Sequence, residues 1–163
     1  MSTSSPDFAA ILGVLCRHEV EFIVVGGVCG VLHGAPVSTF DLDLVHSRAP
    51  ANLDRLQAAL EDLDARYRTH PERRLRPDRS HLESPGHQLL MTSAGPLDLL
   101  GAVGKGRGYQ DLLPLSVQMQ LGPLSVRVLD LDSLIQLKEE VGHEKDRAVL
   151  DILRRTRDER RGR

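Results

Sequence analysis

The chain has 163 residues and a formal net charge of −2, enough for one domain with its own core and without the overall basic field of a nucleic-acid binder. Three Phe, two Tyr and no Trp imply an aliphatic core and exclude a surface of stacked aromatic platforms for single-stranded nucleic acid. Cys16 and Cys29 form no metal-ligand pattern, the N-terminus lacks a signal core, and the apolar run Phe22 to Leu32 is too short and glycine-broken to span a bilayer, so the chain reads as soluble and cytoplasmic.

Ser5-Pro6 predicts a helix start, followed by Phe8, Ile11, Leu12 and Leu15 on one buried face. Glu21 to Val25 is a buried strand ending at Gly26-Gly27, and Val28 to His33 a short helix closed by Gly34 and Pro36. Phe40 to Val45 is a second strand. A helix from Pro50 turns Leu53, Leu56, Leu60 and Leu63 inward. Residues 69 to 86, rich in Pro, Arg and His, read as a long loop. Gln88 to Thr92 and Leu97 to Val103 form two strands around a turn at Ala94-Gly95-Pro96, and Gly104 to Gly108 a flexible loop. Ser116 to Leu121 and Ser125 to Leu129 form a hairpin. Asp130 or Asp132 caps a helix through Val141, and Lys145 to Arg157 is the last helix. The order is α+β with clustered strands: one domain over residues 1–153, then a basic tail over 154–163. A second group of arginines, from Arg66 to Arg79, is either a charged loop or a collector of phosphates.

The chemistry concentrates in Thr39-Phe40-Asp41-Leu42-Asp43-Leu44. Residues two apart on a strand share a face, so Asp41 and Asp43 project together while Phe40, Leu42 and Leu44 face the core. Paired carboxylates repel, and a hard divalent cation such as Mg²⁺ or Mn²⁺ relieves the repulsion. Two further features point the same way. Gly26-Gly27 lets a ligand approach the backbone closely, at a helix start that favours an anion. Asp98, within the apolar strand Leu97-Asp98-Leu99-Leu100, is costly there unless paired or metal-bound. His33, His81 and His87 are candidates for base stacking or proton transfer.

Val24-Val25-Gly26-Gly27, then His33-Gly34, then Thr39 to Leu44, with Asp98 as a third acid, resembles the signature of the nucleotidyltransferase superfamily of the DNA polymerase β type. Leu137-Lys138, Gly142 to Arg147 and Asp151 resemble a helical motif of AbiEii-type nucleotidyltransferase toxins. The resemblance implies a polymerase β-like fold, with a mixed central sheet flanked by helices. It implies transfer of a nucleoside monophosphate from an NTP to an acceptor such as tRNA, another RNA or a protein, and a place in a toxin–antitoxin pair with an antitoxin partner. Asp41, Asp43 and Asp98 would be the catalytic metal ligands. Gly26, Gly27, Thr39, Lys138 and Lys145 would bind the nucleotide. Val37 and His143 stand where the family often carries Arg, and Gly27 where many relatives carry Ser. Those departures keep a catalytically impaired nucleotide- or partner-binding module of the same fold as the alternative.

Overall fold

Along the chain run α1 (Phe8–Arg17), β1 (Phe22–Val25), α2 (Gly26–Leu32), β2 (Leu42–His46), α3 (Pro50–Asp62), β3 (Arg66–Tyr67), α4 (Arg79–Glu83), β4 (His87–Thr92), β5 (Gly95–Leu100), α5 (Tyr109–Leu112), β6 (Ser116–Leu121), β7 (Leu124–Leu129), α6 (Leu131–Val141) and α7 (Arg147–Arg161). The computed structural model describes residues 5–142 and 146–162. Its seven strands form one sheet in the order β3-β4-β5-β2-β1-β7-β6. The pairing is mixed: β1 with β7 and β2 with β5 are parallel, and the remaining neighbours are antiparallel. The α+β architecture with a mixed central sheet is the expected one.

Register decides which residues share a face. Val25 pairs with Asp43, Asp43 with Asp98, and Asp98 with Leu89, so these four side chains line one side of the sheet. The opposite side carries Val24, Leu44, Leu99 and Gln88, all buried. Ile11, Leu12 and Leu15 of α1 and Leu53, Leu56 and Leu60 of α3 are buried as their spacing predicts. The two helices pack on each other.

Several local features differ from the sequence reading. Asp7, not Ser5, caps α1, its side chain accepting from the Ala10 N–H. Phe40 lies outside β2 and is 76% exposed rather than core-facing. The strand ladder does not begin until Leu42, so strict alternation fails at the residue before Asp41. The segment 69–86 is not loop throughout: a 3₁₀ turn spans Pro71–Arg73, and α4 is capped by Asp78 and anchored by the fully buried Leu82. Residues 154–161, expected as a tail, continue α7, and four of their five arginines have partners within the chain. Arg154 pairs with Glu139, Arg157 and Arg161 with Asp132, and Arg160 contacts His33 Nδ1.

Helix α6 is fixed at its start by Asp130, whose carboxylate accepts the Ser133 N–H at 2.7 Å. Asp130→Ala is expected to cost about 1 kcal/mol, read as a lower urea midpoint. An unchanged midpoint would show that the cap contributes nothing.

Candidate active site

The three acids meet. Asp41, Asp43 and Asp98 each offer a carboxylate oxygen, and these atoms lie within 4.8 Å of one another. Asp43 and Asp98 are direct partners across the parallel β2–β5 pair, and Asp41 enters from the segment just before β2. Octahedral ligands at the Mg²⁺ bond length stand about 3–4 Å apart, so small side-chain adjustments close the set around one ion.

The electrostatics are strained without a cation. Burial, then the charge of Asp98 and that of Asp41, push the Asp43 carboxyl up to about 7, with Lys138 pulling weakly the other way. Asp98 is raised as well, first by burial and against the pull of Arg68. Arg68 Nη2 stands 2.7 Å from Asp98 Oδ1 and pairs with that buried oxygen. An all-carboxylate donor set, strained by burial and mutual repulsion, fits a hard divalent ion.

The glycines act through space as well as through conformation. Gly26 has φ of +69°, and a Cβ there would lie 2.1 Å from Asp43 Oδ2. A Cβ on Gly27 would lie 2.7 Å from the Thr39 hydroxyl oxygen and 2.8 Å from Thr39 Cβ. Thr39 therefore occupies the space beside Gly27 that a larger residue would need, and its hydroxyl donates to the Asp41 carbonyl oxygen at 3.1 Å.

Under α6 lies a cleft of about 190 Å³ that runs from Val25 and Gly26 past Asp43 to Leu100 and His87. Its walls include Gly26, Asp43, Leu100, Leu134, Leu137 and Lys138. Lys138 is three-quarters buried and sits 3.7 Å from Asp146. It lines the cleft, with a carboxylate already facing its ammonium. Lys145 and His143 lie outside the described residues. The Gly104–Gly108 loop is held to α6, with Arg107 paired to Glu140 and Val103 bridged to Arg107.

The histidines divide differently. His33 is structural: its Nε2–H donates to the Leu129 carbonyl at 2.7 Å, and Nδ1 accepts from Arg160. His81 caps α4 with Asp78 and meets the Tyr67 ring edge-on. Only His87 reaches the cleft wall. Arg68 was missed as a site residue, because only the β3–β4–β5 pairing brings it beside Asp98. The one sequence signal was its membership of an arginine-rich segment.

No protein-family model matches the chain, and no curated protein matches it in sequence. Solved structures do. A Thermotoga maritima protein described provisionally as a nucleotidyltransferase superposes with a TM-score of 0.57 at 15% identity, over 88% of each chain. The lincosamide antibiotic adenylyltransferase LnuA, with lincomycin bound, superposes with a TM-score of 0.62 at 13% identity, over 90% of this chain and 94% of that one. With the mixed sheet and the register above, these likenesses establish that the chain has the nucleotidyltransferase fold.

Proposed function

We propose that the protein is a divalent-metal-dependent nucleotidyltransferase that moves a nucleoside monophosphate from an NTP to an acceptor hydroxyl. The observation that carries this reading is the meeting of Asp41, Asp43 and Asp98 on one face of a nucleotidyltransferase sheet. In the reaction the acceptor oxygen forms a bond to the α-phosphorus. The bond from that phosphorus to the bridging oxygen breaks, and pyrophosphate leaves with the electron pair. Mg²⁺ or Mn²⁺ held by the three carboxylates supplies charge neutralisation for the phosphates.

The chain's own residues do the rest. Asp98, gathered with Asp41 and Asp43, is placed to draw the proton from an acceptor hydroxyl. Gly26 and Gly27 leave bare main chain beside the acids, and the Thr39 hydroxyl, on leaving the Asp41 carbonyl, would add a donor at that edge. Lys138 exchanges its partner Asp146 for the triphosphate. The apolar wall of Leu100, Leu134 and Leu137 excludes water around the reacting groups. Lys145 belongs to the same phosphate-binding set by resemblance alone. The toxin–antitoxin role, with its RNA or protein acceptor and antitoxin partner, likewise rests on the AbiEii resemblance of residues 137–151. No helix among the described residues is long and apolar enough to cross a membrane.

Asp41→Ala is expected to lower label transfer from an NTP at least about a thousandfold while the far-ultraviolet circular dichroism stays unchanged, since Asp41 is only half-buried and outside the ladder. Calorimetry with Mg²⁺ and each NTP on wild type and variant checks it. Equal binding by both proteins would refute the assignment. A pure nucleotide-binding module, the alternative raised by Val37, would bind the Mg·NTP and incorporate no label into any acceptor.

A further inference from the structure

The two ends of the sheet are built differently. At one end β3 is two residues long and carries Arg66. Its outer side is taken by the chain itself, where the Tyr67 N–H bonds the Leu75 carbonyl at 2.9 Å. Short length, charge and cover are the usual guards of a strand edge. At the other end β6 has none of them. Its six residues, Ser116-Val117-Gln118-Met119-Gln120-Leu121, include no charge and no proline. They pair with β7 without a bulge, from Ser116 opposite Leu129 to Leu121 opposite Leu124. Among the described residues no strand lies beyond them.

The direction of the backbone groups of β6 follows from its two ends. The turn at Gly122-Pro123 closes on the Leu121–Leu124 pair, and before the strand the Leu115 carbonyl accepts the Asp130 N–H at 2.8 Å. Odd-numbered residues therefore spend their N–H and C=O on β7, and alternation turns those of Ser116, Gln118 and Gln120 outward. Val117 lies opposite Val128, which pairs with Val24, so Val117 and Met119 stand on the face away from the acids. Val117 is 40% exposed and Met119 is half-buried. Arg127, opposite Gln118, stays one strand back and donates to Ser116 Oγ at 3.2 Å.

We propose that β6 is a dimerisation edge, to which a second copy of this chain adds antiparallel through its own β6, about a two-fold axis at Gln118. In that register Gln118 pairs with Gln118 of the other copy, and Ser116 with Gln120 of the other copy. All three outward residues then exchange backbone hydrogen bonds across the axis. Val117 of each copy stands beside Met119 of the other, apolar against apolar. A strand without charge meets its own copy with no like-charge repulsion, and it offers a charged segment of another protein no counter-charge. With β3 guarded, the doubled sheet has no open edge left for a third copy, so assembly stops at two.

Sedimentation of the full chain over a wide concentration series should show monomer and dimer in exchange and nothing larger. Gln118→Lys sets two like charges opposite each other at an exposed position and should raise the dissociation constant at least about tenfold, as should Gln118→Glu. Mixed in equal amounts, the two variants should regain the dimer, which also shows that both are folded. Amide hydrogen exchange followed by NMR should slow with concentration at Ser116, Gln118 and Gln120. Val117 and Met119, already bonded to β7, should change far less. A chain that stays monomeric, a dimer indifferent to both substitutions, a mixture that stays monomeric, or protection without alternation along β6 overturns the edge pairing. Oligomers beyond the dimer overturn its two-fold closure.

Discussion

Asp43→Asn should make the metal-free protein more stable above neutral pH and abolish the proposed metal-dependent transfer. Burial and two neighbouring carboxylates push Asp43 up to about 7, far above its ordinary value. Between those two pH values the folded state holds a proton that the unfolded state has released. Stability therefore falls as pH rises through this window, and the full cost is present above the folded value. That cost is on the order of a few kcal/mol, and each kcal/mol moves the melting temperature about 2–4 °C in a domain of this size. His33 and His46 tilt the other way, since burial lowers both imidazoles and favours the fold as pH rises through their unfolded value. The difference between variant and wild type isolates the carboxylate. In a chelator, melts near about pH 8 should show the variant several degrees higher, and melts near about pH 4 should nearly coincide. Added Mg²⁺ should raise wild type and leave the variant unmoved. A variant no more stable than wild type at the higher pH would mean that Asp43 is not held under strain.

Gly26→Ala should damage the site more than its size suggests. The new methyl carbon would fall 2.1 Å from Asp43 Oδ2, with backbone at φ +69°, so both the main chain and the ligand must move. Gly34→Ala is the matched control: its φ is +94°, and nothing lies within 4 Å of the added carbon. Both variants should lose about 1–2 kcal/mol to backbone strain in urea titrations. Only Gly26→Ala should also weaken Mn²⁺ binding, by at least about tenfold, because it displaces a ligand. Equal Mn²⁺ affinity in the two variants would show that the collision with Asp43 is relieved at no cost to the site.

What the sequence made legible follows local periodicity. The helix faces of α1 and α3 repeat their leucines every three or four residues, and both were readable. Asp41 and Asp43 were readable as a pair from their spacing, and Asp98 as a third acid from its apolar strand. The contact itself depends on β2 lying parallel to β5 with Asp43 opposite Asp98, a long-range register that no local pattern encodes. Arg68 was invisible for the same reason, since it reaches Asp98 across three strands. Phe40 was misplaced because alternation holds only inside the ladder. The C-terminal arginines looked like a tail by charge, whereas Leu150 and Leu153 bury the first half of α7 and carry Arg157 and Arg161 to Asp132. Composition sees charge but not its partner.

The most direct test is anomalous diffraction from crystals grown with Mn²⁺ and a non-hydrolysable NTP analogue. The account predicts a manganese peak bonded to carboxylate oxygens of Asp41, Asp43 and Asp98 together, with analogue phosphate oxygens completing its shell. A nucleotide bound elsewhere, or Asp98 turned away and still clasped by Arg68 while manganese sits on other residues, would contradict it.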